Sequence, residues 1–196
     1  ESQSAADLFA QFRRDLNQII FASSVSQKVE PFDERNGAVW ASANPSGAIL
    51  AFTLQQIPAL IVDVPLERGD VVVSCFDETS VIFSTIETTR DGLHPVAGHR
   101  AFGVVDNGDG SLTIYTKGFD RVVNEGMFAA LFTDALREEV FTRGHDVWAG
   151  MLGHIARQFS ARHPRSITEF SVRMMGGPSQ LDLSTMTDTA GEYFVA

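Results

Sequence analysis

The sequence predicts an α+β fold in which helices flank a run of antiparallel strands. Three observations predict it: apolar residues recur at helical spacing near the N-terminus, the period shortens to two between Ala48 and Arg121, and helical spacing returns after Asn124. An N-terminal helix, an antiparallel sheet of about five to seven strands including a 99–117 hairpin, and two consecutive amphipathic helices packed on the sheet satisfy this order.

Leu8, Phe12, Leu16, Ile19 and Ile20 form one helical stripe, and Ser4 followed by Asp7 resembles a capping box with Asp in the Glu position. An opening helix is expected over 4–22. Polar and Asn-Gly or Asn-Pro signals between Ser23 and Gly47 mark a long connection, interrupted by a short strand at Ala38-Val39-Trp40.

The segments AILAFTL, VVVSCF, VIFSTIE, RAFGVV and LTIYTK are short, β-branched or aromatic, and bounded by turn residues, so each reads as a strand. Leu60-Ile61-Val62-Asp63-Val64-Pro65 reads as an edge strand or an irregular crossing. Phe128, Leu131, Phe132, Ala135, Leu136 and Val140 then mark one helix, and Trp148, Met151, Leu152, Ile155 and Phe159 a second. Thr168 to Met174 reads as a last strand stopped by Gly176-Gly177-Pro178. The whole chain, 1–196, reads as one α+β domain whose polar 178–196 segment is extended, with Tyr193-Phe194-Val195 to anchor its end.

Composition narrows the function. With 44% apolar and 20% charged residues among 196, the chain can build a core without disulfides or metal. A formal net charge of −10 disfavours nucleic acid and anionic membranes, which need a positive field. No stretch approaches the roughly 20 apolar residues of a transmembrane helix. The opening Glu1-Ser2-Gln3-Ser4 has no Met, as in a processed or excised chain, so the compartment stays open. Cys75 is the single cysteine, which rules out an intrachain disulfide, and its expected place is in the core.

A Gly-Lys-Ser/Thr phosphate loop, G-x-G-x-x-G, G-x-S-x-G and H-E-x-x-H are all absent. The 106–110 Asp-Asn-Gly-Asp-Gly run lacks the oxygen ligand and closing glutamate of a calcium loop. His145, His154 and His163 fall nine apart, half a helical turn out of phase, and cannot form one metal face. No metal site and no cofactor are expected.

The unusual polar residues collect in HPVAGHRAFGVVDNGDGSLTIYTKGFDR, residues 94–121. Asn107-Gly108 and Asp109-Gly110 are both good two-residue turns, and either would set even-numbered residues of the first strand opposite odd-numbered ones of the second. Arg100, Phe102 and Val104 would then share a face with Thr113, Tyr115 and Lys117. His99 would share the other face with Leu112, Ile114, Thr116 and Asp120. A histidine beside a carboxylate is oriented for general-base work, so His99, Asp120 and Arg121 are the catalytic candidates. His94, Arg100, Tyr115 and Lys117 are the ligand-binding candidates, placed to hold an anionic group. Each pattern also has a structural reading, as a satisfied polar pair or a solvated face.

Fifteen Phe against two Tyr and two Trp suit a core or an apolar pocket. The first functional reading is a small-molecule or apolar-ligand binding domain with polar groups at the pocket mouth. A hydrolase or transferase using the His99–Asp120 pair and the basic residues of the hairpin is the alternative. An interaction domain of a larger secreted protein, binding another protein, is a third.

Overall fold

The computed structural model describes residues 3–23, 28–53, 68–90, 96–122, 148–155, 166–167 and 193–194. Helix α1 (Ala5–Ser23) starts where the sequence places it: the Asp7 amide donates to Ser4 Oγ at 3.1 Å, and the Ser4 hydroxyl donates to the Asp7 carboxylate at 2.6 Å. Leu8, Phe12, Leu16, Ile19 and Ile20 are all buried, with Phe9 widening the stripe. This stripe lies on the sheet, against β1 and β5 in particular.

The sheet has six antiparallel strands in sequence order, β1 (Lys28–Pro31), β2 (Ile49–Thr53), β3 (Arg68–Phe76), β4 (Ser80–Ile86), β5 (Val96–Asp106) and β6 (Leu112–Val122). The last five coincide, to within a few residues at their ends, with the five segments read as strands between Ala48 and Arg121. One face is apolar: Val29, Leu50, Phe52, Val71, Val73, Val81, Phe83, Phe102, Val104 and Ile114 join α1 in the core. Residues 148–155 are helical (α3) and add Met151, Leu152 and Ile155 to it, with Trp148 edge-on to Phe102 at 5.5 Å between ring centroids. The result is a mixed α+β fold.

Two short strands, β7 (Ser166–Ile167) and β8 (Tyr193–Phe194), pair antiparallel. Ser166 pairs with Phe194 and Ile167 with Tyr193. The expected 60–65 strand, the helix through Phe128–Val140 and the 168–174 strand lie outside the described residues.

Three expectations are corrected. Ala38-Val39-Trp40 is not a strand but part of α2 (Glu34–Ala41), because Asp33 caps the helix by accepting from the Asn36 amide at 2.7 Å. The connection before it also contains β1, held by pairing with β2 rather than by any pattern of its own. Cys75 is exposed, not in the core. The ladder shifts register between Val73 and Cys75, so Val73 stays buried and Phe76 packs on Phe9 while Cys75 turns outward.

The third correction concerns the hairpin. Asp106 pairs with Leu112 and Phe102 with Thr116, so even residues oppose even ones. Neither two-residue turn forms. The Asn107 amide instead bonds the Ser111 carbonyl, and Gly108 and Gly110 both sit at positive φ (76° and 85°) inside one odd-numbered loop. Asp106 and Asp109 carboxylates accept the Gly108 and Ser111 amides and fix it. An odd loop reverses which residues of β6 share a face with those of β5.

Candidate functional site

The new register separates the sequence-predicted site residues. His99 stands opposite Phe119, and Asp120 stands opposite Gly98, one step out of phase with His99 and therefore on the other face. Arg121 pairs with Ala97. The backbone register does not pair His99 with Asp120, and His94 and the side chains of Asp120 and Arg121 lie outside what the structure describes.

Arg100 shares a face with Phe102 and Val104, where its guanidinium lies across its paired Gly118 and 4.7 Å from the Trp148 ring centroid. Tyr115 and Lys117 stand on the opposite face, with Lys117 Nζ 5.1 Å from the Tyr115 ring centroid. The expected cluster of Arg100, Tyr115 and Lys117 is thus split by the sheet. Burial holds the Tyr115 phenol above its ordinary range, and the negative charge of Asp77 adds to the effect against a hydrogen bond with Ser80.

His99 finds a different partner. Its Nδ1 is 2.7 Å from Ser84 Oγ, which donates to Ser74 Oγ at 2.6 Å, which in turn donates to the Ile82 carbonyl at 3.2 Å. Each hydroxyl has one proton to give. With both hydroxyl protons placed downstream, His99 donates from Nδ1 to Ser84; with the imidazole proton on Nε2, Ser84 donates to Nδ1 instead. Ser84 is 8% exposed, whereas Ser74 and His99 are exposed.

Among the described residues, the core leaves little open space. The space enclosed by Phe9, Phe12, Phe102, Val104, Ile114, Tyr115 and Met151 is only about 10 Å³. The phenylalanines fill it with one another, Phe12 on Phe102 at 5.7 Å and Phe102 on Phe83 at 5.8 Å.

A groove of about 630 Å³ opens instead between α1, β1 and α2. Leu16, Val29, Pro31, Trp40 and Leu50 give it an apolar surface. Arg13, Arg14 and Asn17 of α1 line it together with Asp33 and Glu34 at the start of α2, while Glu30, which alternates with the core-facing Val29 on β1, pairs with Lys28. Trp40 is set by Phe83, at 5.8 Å, and by Arg13, whose guanidinium lies 5.6 Å from Trp40 and 5.1 Å from Phe76. Arg13 donates to the Ser42 carbonyl at 2.9 Å and so ties α1 to the end of α2. Desolvation lowers its pKa. The Asn17 side chain accepts the Val29 amide at 3.1 Å, which fixes β1 beside α1.

The sequence did not single out this groove, because it forms only where α1 meets β1 and α2, two elements within the segment read as a connection. The Asp33 carboxylate, three residues before Asn36, was the one local signal, as a helix cap. Among the described residues no group of three or more His, Cys, Asp or Glu is arranged to hold a metal ion. No described helix is long and apolar enough to cross a membrane. Neither a scan against protein-family models nor a search of curated proteins finds a match for this chain.

Proposed function

We propose that this protein is a small-molecule binding module whose site is the groove between α1, β1 and α2. The observation that carries the reading is the contrast in free space: about 630 Å³ in the groove against about 10 Å³ within the core. Ligand sites typically occupy about 300–1,000 Å³ and combine an apolar lining with a few polar groups. An apolar surface of Leu16, Val29, Trp40 and Leu50 with Arg13, Arg14 and Glu34 beside it suits a compact ligand with an apolar body and polar ends. The module keeps the apolar site with polar groups at its mouth that the composition suggests, but moves it from the hairpin to the first third of the chain.

Gly37 gives a direct test, because it lines the groove on α2 and a Cβ there would meet only Pro31, at the ordinary distance of 3.5 Å. Gly37→Leu therefore fills the groove while helix propensity favours the change. Fragments with an apolar body and a charged end, titrated by calorimetry, should bind the wild type and lose at least tenfold in affinity for Gly37→Leu. Equal affinity for the two proteins would remove the groove as the site.

A further inference from the structure

The outer face of the sheet, turned away from α1, carries a row of three side chains that the groove does not use. Ser74 on β3, Ser84 on β4 and His99 on β5 form a continuous hydrogen-bonded chain across three strands. Its outer end, Ser74, sits where β3 breaks register, and bulges often turn a side chain out toward a reaction site. The two contacts between side chains, 2.6 and 2.7 Å, are both shorter than the 3.2 Å from Ser74 to the Ile82 carbonyl.

We propose that Ser74 is a nucleophile for acyl groups carried as activated esters, with Ser84 and His99 as the relay that takes its proton. With the imidazole proton on Nδ1, the chain runs from His99 through both hydroxyls to the Ile82 carbonyl. With the imidazole proton on Nε2 instead, the chain reverses: Ser74 donates to Ser84, and Ser84 donates to Nδ1. The only contact given up is the long one to Ile82.

In the reversed chain the Ser74 oxygen bonds to the ester carbonyl carbon as its proton passes to Ser84 Oγ and the Ser84 proton passes to His99 Nδ1. The carbonyl carbon then loses its alkoxide, which takes one proton back from His99 through Ser84 and leaves as the alcohol. An ester and the Ser74 hydroxyl become acyl-Ser74 and an alcohol, with no change in oxidation state. Ser84 and His99 act through Ser74 and are positioning residues. Val72, paired with Ser84, and Ile82 give the surroundings an apolar character that suits a short acyl chain.

The test uses p-nitrophenyl acetate and intact-protein and peptide mass spectrometry. One acetyl group per chain, on Ser74, is expected, with an acylation rate that falls as pH is lowered. Ser84→Ala and His99→Gln should slow acylation about a hundredfold, within the range of general-base contributions. Ser84→Thr, which keeps a hydroxyl, should restore most of the rate, which a purely structural role for Ser84 does not require. Acetyl found on Cys75 or Lys117 of the same face, no acetyl at all, a pH-independent rate, or an undiminished rate in Ser84→Ala would each overturn the proposal.

Discussion

Tyr115 lies across Gly103, its directly paired neighbour on β5, so closely that a Cβ built on that glycine would stand 2.5 Å from the phenolic oxygen. An aromatic ring covering a strand glycine protects backbone that would otherwise be open to water. The same contact explains why the phenol is buried enough to resist ionisation. A strand residue chosen for its missing side chain thus sets the environment of a titratable group on the next strand.

Gly103→Ala should force the ring away from the sheet. The expected loss of stability is about 1–2 kcal/mol, the scale of small overpacking errors. Phenolate absorbance followed against pH should show Tyr115 ionising closer to its ordinary range in the variant. The sign follows from the raised value: protonated Tyr115 stabilises the fold below its unfolded pKa, and that contribution fades as pH rises through the folded one.

Thr116 is 5% exposed on the core face, opposite Phe102, and its hydroxyl has no hydrogen-bond partner among the described residues. A buried hydroxyl without a partner carries an uncompensated desolvation cost. Thr116→Val keeps the shape and removes the hydroxyl, so urea denaturation should show a gain of about 1 kcal/mol. A loss of stability would mean that the hydroxyl is satisfied in solution.

The Asp77 carboxylate accepts from the Ser80 hydroxyl at 2.7 Å and the Thr79 amide at 2.8 Å, and Asp33 accepts from the Asn36 amide. These bonds hold both carboxyls below their ordinary range. A depressed folded pKa stabilises above the unfolded value of about 3.9 and loses that contribution as pH falls through the folded value. Stability should therefore decline in acid, more shallowly in Asp77→Asn, which is also less stable at neutral pH. Both carboxylates are exposed, so solvent screening keeps the difference small. Denaturation midpoints at stepped pH check the slope, and identical slopes would contradict the assignment to Asp77.

Much of this fold was legible locally. Ser4, Asp7 and the stripe from Leu8 to Ile20 define α1 by capping and period alone, and the strands β2 to β6 announce themselves by β-branched runs between turn residues. What stayed hidden depends on partners distant in sequence. Lys28–Pro31 is a strand only because Leu50–Thr53 offers it a ladder, and Val39–Trp40 is helical because Asp33 caps the turn before it.

The candidate site was less legible, for a related reason. Two turn dipeptides in succession, Asn107-Gly108 and Asp109-Gly110, each suggested an even loop, whereas together they make an odd one. That single residue of parity moved Arg100 away from Tyr115 and Lys117 and His99 away from Asp120. A bulge after Val73 similarly inverted Cys75. His99 remained in a polar network, but with Ser84, whose place beside it is set by the pairing of β4 with β5.

The central claim is that ligands enter the groove between α1, β1 and α2. The most direct measurement is a map of backbone amide shifts, recorded on the wild-type protein with the apolar-bodied, charged-end fragments and repeated on Gly37→Leu. The account predicts shifts concentrated at Arg13, Arg14, Asn17, Glu34 and Trp40 that vanish in the variant. Shifts scattered over the surface, or concentrated on the β5–β6 hairpin and unchanged by Gly37→Leu, would contradict it.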